Sequence, residues 1–187
     1  MLLKPEYIAL YISIIAICVN VYISWRNRKY ALAKEEYFKL KQIAEKIIAK
    51  LICIENDREK LRIFFQLSFK TTVNPELKFI DTNDTFNRED FEKEGAEVAA
   101  YIDIYFNDLK NMWNDCLDRM SQLFTITFII SKHIEERKVI NWKTEADKFN
   151  TTNQELGHYP EEIGKRIKKE INNFKEKNLD GFRILRI

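Results

Sequence analysis

Few side chains in this sequence are spaced for covalent chemistry, and the polar groups with the clearest pattern lie inside an apolar segment. Glu6, Ser13, Asn20, Ser24 and Asn27 recur at steps of three, four or seven residues, which on a helix places them on one stripe with Ala9 and Ala16. In a membrane such a stripe packs helices closely or lines a polar path, because lipid does not drive apolar helices together. A ring of Ser13 hydroxyls and Asn20 carboxamides about a symmetry axis would make a narrow path of that kind. The two histidines, His133 and His158, are not at a metal-ligand motif spacing. His133 lies beside Glu135, Glu136 and Arg137, and Asp108, Asp115 and Asp118 have Asn, Lys and Arg neighbours. Both groups read as solvated helix faces. Cys18, Cys53 and Cys116 are odd in number and widely separated, so neither a disulfide framework nor a zinc site is expected, and a reducing compartment fits. Without a Gly-rich phosphate loop, an HExxH or a nucleophile elbow, the expectation is a non-enzymatic chain with no cofactor and no metal.

The stripe must be carried by the segment Tyr7 to Trp25, which holds no charged residue. At about 1.5 Å per residue it spans roughly 28 Å, enough for a hydrocarbon core of about 30 Å with its flanks. Tyr7, Tyr11, Tyr22 and Trp25 lie near its ends, where amphipathic rings prefer the interface. Lys4 is balanced by Glu6 on one side, while Arg26, Arg28 and Lys29 crowd the other. The positive-inside rule therefore orients the N-terminus outward and the remainder inward. A cleaved signal peptide would have a shorter apolar core and a small-x-small site, which Ser24-Trp25-Arg26 does not offer. The expected layout is a transmembrane anchor with its basic flank over 1–29, and a cytoplasmic α-helical domain over 30–187.

Charge is uneven along the chain although the net is only +2. Arg26 to Lys50 holds eight basic and three acidic residues, Asp81 to Arg119 four and eleven, and Tyr159 to the end eight and five. The basic run beside the anchor suits anionic lipid headgroups; Tyr30, Tyr37 and Phe38 interleave it in a way that keeps direct nucleic-acid binding as a minority alternative. With glycine at 4 and proline at 3, the composition favours an all-α fold over a sandwich or barrel.

No breaker follows the anchor, so its helix is expected to run to about Glu55. Tyr30, Ala33, Tyr37, Leu40, Ala44, Ile47, Leu51 and Ile54 form a heptad seam on it. Tyr37 through Ile54 are a candidate self-association surface, the alternative being packing on the chain's own domain. Asn56 with Glu59 reads as a cap opening a second helix, Asp57 to about Lys70. Thr71 to Asn87 reads as an irregular connection, with Leu77 to Ile80 as a short extended piece. Asn87 would cap a long helix from Arg88 with apolar positions through Leu117. Leu123 to Ile130, LFTITFII, is β-branched and aromatic, yet the helical pattern on both sides makes it a buried helix. Asn141 to Gly157 reads as a polar helix or turn. Pro160 would then open a last helix, Glu161 to about Lys177, ended by Asp180-Gly181, before the apolar and basic tail FRILRI.

The stretch Asn153-Gln154-Glu155-Leu156-Gly157-His158 resembles the Arg-to-His motif of HEPN-superfamily ribonucleases, which are small helical bundles. It has the His at the right spacing, but Asn153 stands where the resemblance calls for Arg. Without a guanidinium the stabilisation of a phosphorane-like transition state is missing, so a degenerate, non-catalytic HEPN-like domain is expected. An uncleaved anchor entering such a domain without a break is similar to the membrane accessory proteins of type VI-B CRISPR systems. That resemblance implies a bacterial inner-membrane protein of antiviral defence that works beside an RNA-guided RNase and assembles into a homo-oligomeric pore. The alternatives are a non-enzymatic membrane scaffold recruiting a cytoplasmic partner and a membrane-tethered HEPN-type ribonuclease.

Overall fold

The structure, a computed structural model, describes residues 5–73 and 88–180. Those residues form four helices: α1 (Pro5–Val73), α2 (Arg88–Tyr105), α3 (Lys110–Glu135) and α4 (Trp142–Asn178), with a 3-10 turn at Asn107–Leu109 before α3. No strand occurs among the described residues, and the expected all-α class is what the chain adopts. The extended piece over 77–80, the Asn87 cap, Gly181 and the tail FRILRI lie outside the described residues.

Helix α1 is continuous where two helices were expected. Glu6 through Asn74 contain neither Gly nor Pro, so nothing in the backbone stops propagation. Asn56 does not cap. The acids around it instead form pairs three residues apart along the helix: Glu55 with Arg58, Asp57 with Lys60 at 3.0 Å, and Glu59 with Arg62 at 2.7 Å. The single helix expected from Arg88 through Leu117 is interrupted instead. Phe106 leaves the helical region (φ −140°, ψ 45°), and the break lets Ile102, Phe106 and Leu109 all become buried. LFTITFII is helical, as expected, and lies within α3, but it is amphipathic rather than buried throughout, with Phe128 and Ile129 exposed. Thr127, buried in it, donates its hydroxyl to the carbonyls of Leu123 at 3.0 Å and Phe124 at 2.9 Å, which satisfies a polar group in an apolar stretch.

Pro160 opens no helix, because α4 runs through it from Trp142. The proline leaves the Leu156 carbonyl without its helical donor, a cost of about 3 kcal/mol. Leu156 and Ile163 on either side are fully buried, and burial of that size, about 1.5–3 kcal/mol per side chain, offsets it. Helix α3 ends on Arg137 in the left-handed region (φ 52°), where the Lys138 amide donates to the His133 carbonyl at 2.8 Å, a Schellman closure usually made by glycine.

The chain divides into two compact units. The first joins α1 up to Lys41 with the end of α4 from Glu170, and the second holds Gln42–Lys169. The division by contacts thus falls at Lys41, twelve residues beyond the compositional boundary at Lys29. The second unit carries the core: Ala44, Ile47, Leu51 and Ile54 of α1 with Ile102, Trp113, Met120, Leu123, Leu156 and Ile163, each at most 3% exposed. Phe65 stacks on Phe149 at 4.4 Å and Phe91 meets Phe124 edge-on at 5.7 Å. Gly95 faces Leu117, whose Cδ2 would lie 3.3 Å from an added Cβ, so glycine permits the close approach of α2 and α3.

Candidate functional site

Within the first unit the N-terminal part of α1 is one helix long and apolar enough to cross a membrane, and none of its apolar window is buried. Leu10, Ile12, Ile15, Ile17, Val21 and Ile23 are all about half exposed or more. Each such side chain gains about 1.5–3 kcal/mol on leaving water. The segment as a whole would forfeit on the order of tens of kcal/mol in water, more than the 5–15 kcal/mol stability of an ordinary domain. A membrane span and a signal sequence near the N-terminus both present such a segment.

Ser13, Asn20, Ser24 and Asn27 are exposed on this helix; Glu6 lies in its first turn, its side chain outside the described ones. The Ser13 hydroxyl donates to the Ala9 carbonyl at 2.9 Å and so is satisfied within the helix. Asn20 forms no hydrogen bond among the described residues, leaving a carboxamide with two donors and an acceptor amid apolar neighbours. At the C-terminal end of the apolar stretch, Tyr22 packs on Trp25 at 6.2 Å and the Lys29 ammonium sits 4.4 Å over the Trp25 ring. Aromatic and basic groups in contact at that position form the kind of collar that fits a membrane interface.

The heptad seam follows a different logic below Lys41. Tyr37 and Leu40 are half-buried in the first unit, whereas Ala44, Ile47, Leu51 and Ile54 are closed over by the chain's own second unit. Charge acts alongside. Lys50 pairs with Glu94 at 2.6 Å and lies 4.7 Å over the Phe91 ring. Lys46 donates to the Tyr101 hydroxyl at 3.1 Å, which in turn donates to Glu97 at 3.0 Å. The Tyr101 hydrogen bond is the main cause that raises the Lys46 pKa above the ordinary lysine value. The basic run and the acidic middle of the sequence therefore meet in part inside one chain, at the α1–α2 contact.

The structure also brings a guanidinium to the HEPN-like stretch, from another helix. Arg58 of α1 donates to the Asn153 carbonyl at 3.1 Å and is ion-paired with Glu55. Gly157 makes room for it, since a Cβ there would collide with the guanidinium. The carboxamide oxygen of Asn153 is buried without a partner, and Arg119 of α3 pairs with Glu155 at 3.0 Å. Nearby Cys116 is fully buried; burial, with the Glu55 charge as a smaller cause, pushes its thiol up to about 12, so it is not a nucleophile at neutral pH. His158 is exposed, and its charge helps Lys165 hold Glu161 below the ordinary glutamate range. No hydrogen bond joins His158 to Arg58 among the described residues. The arrangement is a three-helix brace whose two arginines at the motif, Arg58 and Arg119, are each paired with a glutamate. Among the described residues no group of three His, Cys, Asp or Glu could hold a metal ion.

No family model matches the chain, and no solved structure matches it. Among curated proteins it is similar to chorionic somatomammotropin hormone 2 of Bos taurus, 31% identical over 87 residues, 44% of this chain and 36% of the hormone. It is also similar to placental prolactin-related protein 2 of the same species, 30% identical over 87 residues, 44% of this chain and 32% of that protein. The chain spans about a third of the length of the curated relatives it matches.

Proposed function

We propose that this protein is a membrane-anchored, self-associating, non-enzymatic effector whose anchor helices assemble around the Ser13–Asn20–Ser24 stripe and perturb or perforate the membrane. The observation that carries the reading is Asn20, an exposed carboxamide without a hydrogen-bond partner among the described residues, within the C-terminal third of an uncovered apolar segment. Lipid covers the apolar face of such a helix but leaves the amide unsatisfied, at a cost of several kcal/mol. Neighbouring copies supply the missing partners, each interhelical polar contact contributing about 0.6–2 kcal/mol. The collar at Tyr22, Trp25 and Lys29 and the Arg26–Arg28–Lys29 flank support a single pass with the C-terminal part inside the cell. The setting in bacterial antiviral defence, beside an RNA-guided RNase, rests on the resemblance of layout alone.

The test is the oligomeric state of the detergent-solubilised full-length protein, joined to membrane depolarisation on expression. The expected result is an oligomer larger than a dimer and depolarisation that Asn20→Leu with Ser13→Leu abolishes and His158→Ala does not. A monomer, or a dimer without depolarisation, overturns the pore and leaves the scaffold, in which the stripe only packs helices. One observation favours a second reading. Arg58 beside Asn153 and one residue from His158 supplies the guanidinium that the HEPN-like stretch lacks on its own helix, so RNA cleavage by purified protein, lost in His158→Ala, would establish the ribonuclease instead. The place of the apolar segment near the N-terminus also suits a signal sequence; an N-terminus found intact in the mature protein excludes it.

A further inference from the structure

A cavity of about 600 Å³ opens in the second unit, where the C-terminal part of α1 meets the first turns of α4. Its size falls within the range of small-molecule sites, about 300–1,000 Å³. Phe65 and Phe69 both stand edge-on to Trp142, at 6.0 and 5.3 Å, and Lys70, Lys143 and Gln66 complete the polar part of the wall. Phe69 is 46% exposed, so one aromatic face is open to a ligand. The indole N–H of Trp142 is buried and has no acceptor among the described residues.

Charge decides what kind of ligand fits. Among the described residues no carboxylate lines the cavity, and neither Lys70 nor Lys143 has an ion-pair partner. The carboxylate of Glu145 in the first turn of α4 is engaged by Lys148 at 3.0 Å. The amino end of α4 adds its own positive potential. An anion is therefore complementary. The walls discriminate further: an acyl chain is best enclosed by branched aliphatic side chains, and among the described residues the aliphatic contribution is Ala146 alone. Three aromatic rings beside unpaired ammonium groups are the combination that stacks nucleobases and holds phosphate.

We propose that this cavity binds a nucleoside phosphate, its base stacked on the open ring of Phe69 and against Trp142 at its edge, and its phosphate held by Lys70 and Lys143. Gln66 is placed to read the base edge, and the Trp142 N–H gains an acceptor on the ligand.

The experiment titrates AMP and UMP into the detergent-solubilised full-length protein, followed by calorimetry and tryptophan fluorescence, with adenosine, inorganic phosphate and oleate as separate arms. Saturable binding of the nucleotides is expected, with adenosine and phosphate weaker by about tenfold or more, since each carries half of the recognition. Lys70→Ala with Lys143→Ala, and separately Phe69→Ala, should each weaken AMP by about tenfold, and the lysine pair should flatten its salt dependence. These are exposed side chains, so an unchanged unfolding transition in each variant identifies lost binding as a site effect. Absence of saturable nucleotide binding up to about millimolar concentration, binding unaffected by all of these substitutions, or tighter binding of oleate than of AMP would each overturn the assignment.

Discussion

Arg58 and Gly157 act as one device, although 99 positions separate them in sequence. A motif search along one helix finds Asn153 and His158 and stops there, because the arginine that reaches them belongs to α1 and is placed only by tertiary packing. The role of the glycine is steric and is visible only once the guanidinium lies over it. The device makes a prediction that separates packing from propensity. Arg58→Ala removes a half-buried charge-assisted hydrogen bond and should destabilise by about 1–2 kcal/mol. Gly157→Ala gains about 0.8–1 kcal/mol of helix propensity and displaces only the flexible end of an arginine. The two effects should nearly cancel, leaving it within about 1 kcal/mol of the parent. In the Arg58→Ala background the clash is gone, and Gly157→Ala should stabilise by the full propensity. Denaturant unfolding of the four-member cycle measures this; equal effects of Gly157→Ala in both backgrounds would mean that Arg58 does not rest on Gly157.

At the scale of elements, helical periodicity was legible and helix ends were not. The seam from Ala44 to Ile54 follows from spacing and is buried, whereas LFTITFII is helical as its flanks imply but buries only Leu123, Phe124, Thr127 and Ile130 and leaves Phe128 and Ile129 exposed. The missed boundaries share a cause: local signals were overruled by packing. Asn56 and Glu59 make a plausible cap, but α1 had no breaker, and the buried Ile54, Leu61, Phe64 and Phe65 on both sides of the supposed cap hold it helical. Phe106 breaks the opposite way, ending a helix with no Gly or Pro because three side chains gain burial. Pro160 is the clearest case, a start signal absorbed into the middle of α4 between two buried residues. Pro160→Ala restores the donor to the Leu156 carbonyl and should stabilise by about 1–3 kcal/mol, read as a higher denaturation midpoint at unchanged slope. A loss of stability there would show that the proline ring itself is packed into the structure.

For the molecule as a whole, the sign and place of charge carry more than its total. Eight basic residues between Arg26 and Lys50 do not act together: Lys46 and Lys50 are engaged by α2, while Lys29 belongs to the collar with Trp25. Sequence alone could not make that partition, because it depends on which helix the acidic stretch folds against. In the proposed topology the residues closest to the apolar segment, Arg26, Arg28 and Lys29, set the orientation. At about 1 kcal/mol for each basic group near an anionic leaflet, they bias the insertion by about 3 kcal/mol, against an N-terminal side on which Lys4 is offset by Glu6. A reporter fused to the C-terminus should therefore lie in the cytoplasm. Arg26→Glu, Arg28→Glu and Lys29→Glu together, with two lysines added ahead of Pro5, reverse the asymmetry and should move the reporter outward in a large fraction of molecules. The same triple variant leaves Asn20 and Ser13 untouched, so oligomerisation in detergent should survive it. A reporter outside in the parent chain would invert the proposed topology, and loss of oligomers in the variant would move self-association from the polar stripe to the basic flank.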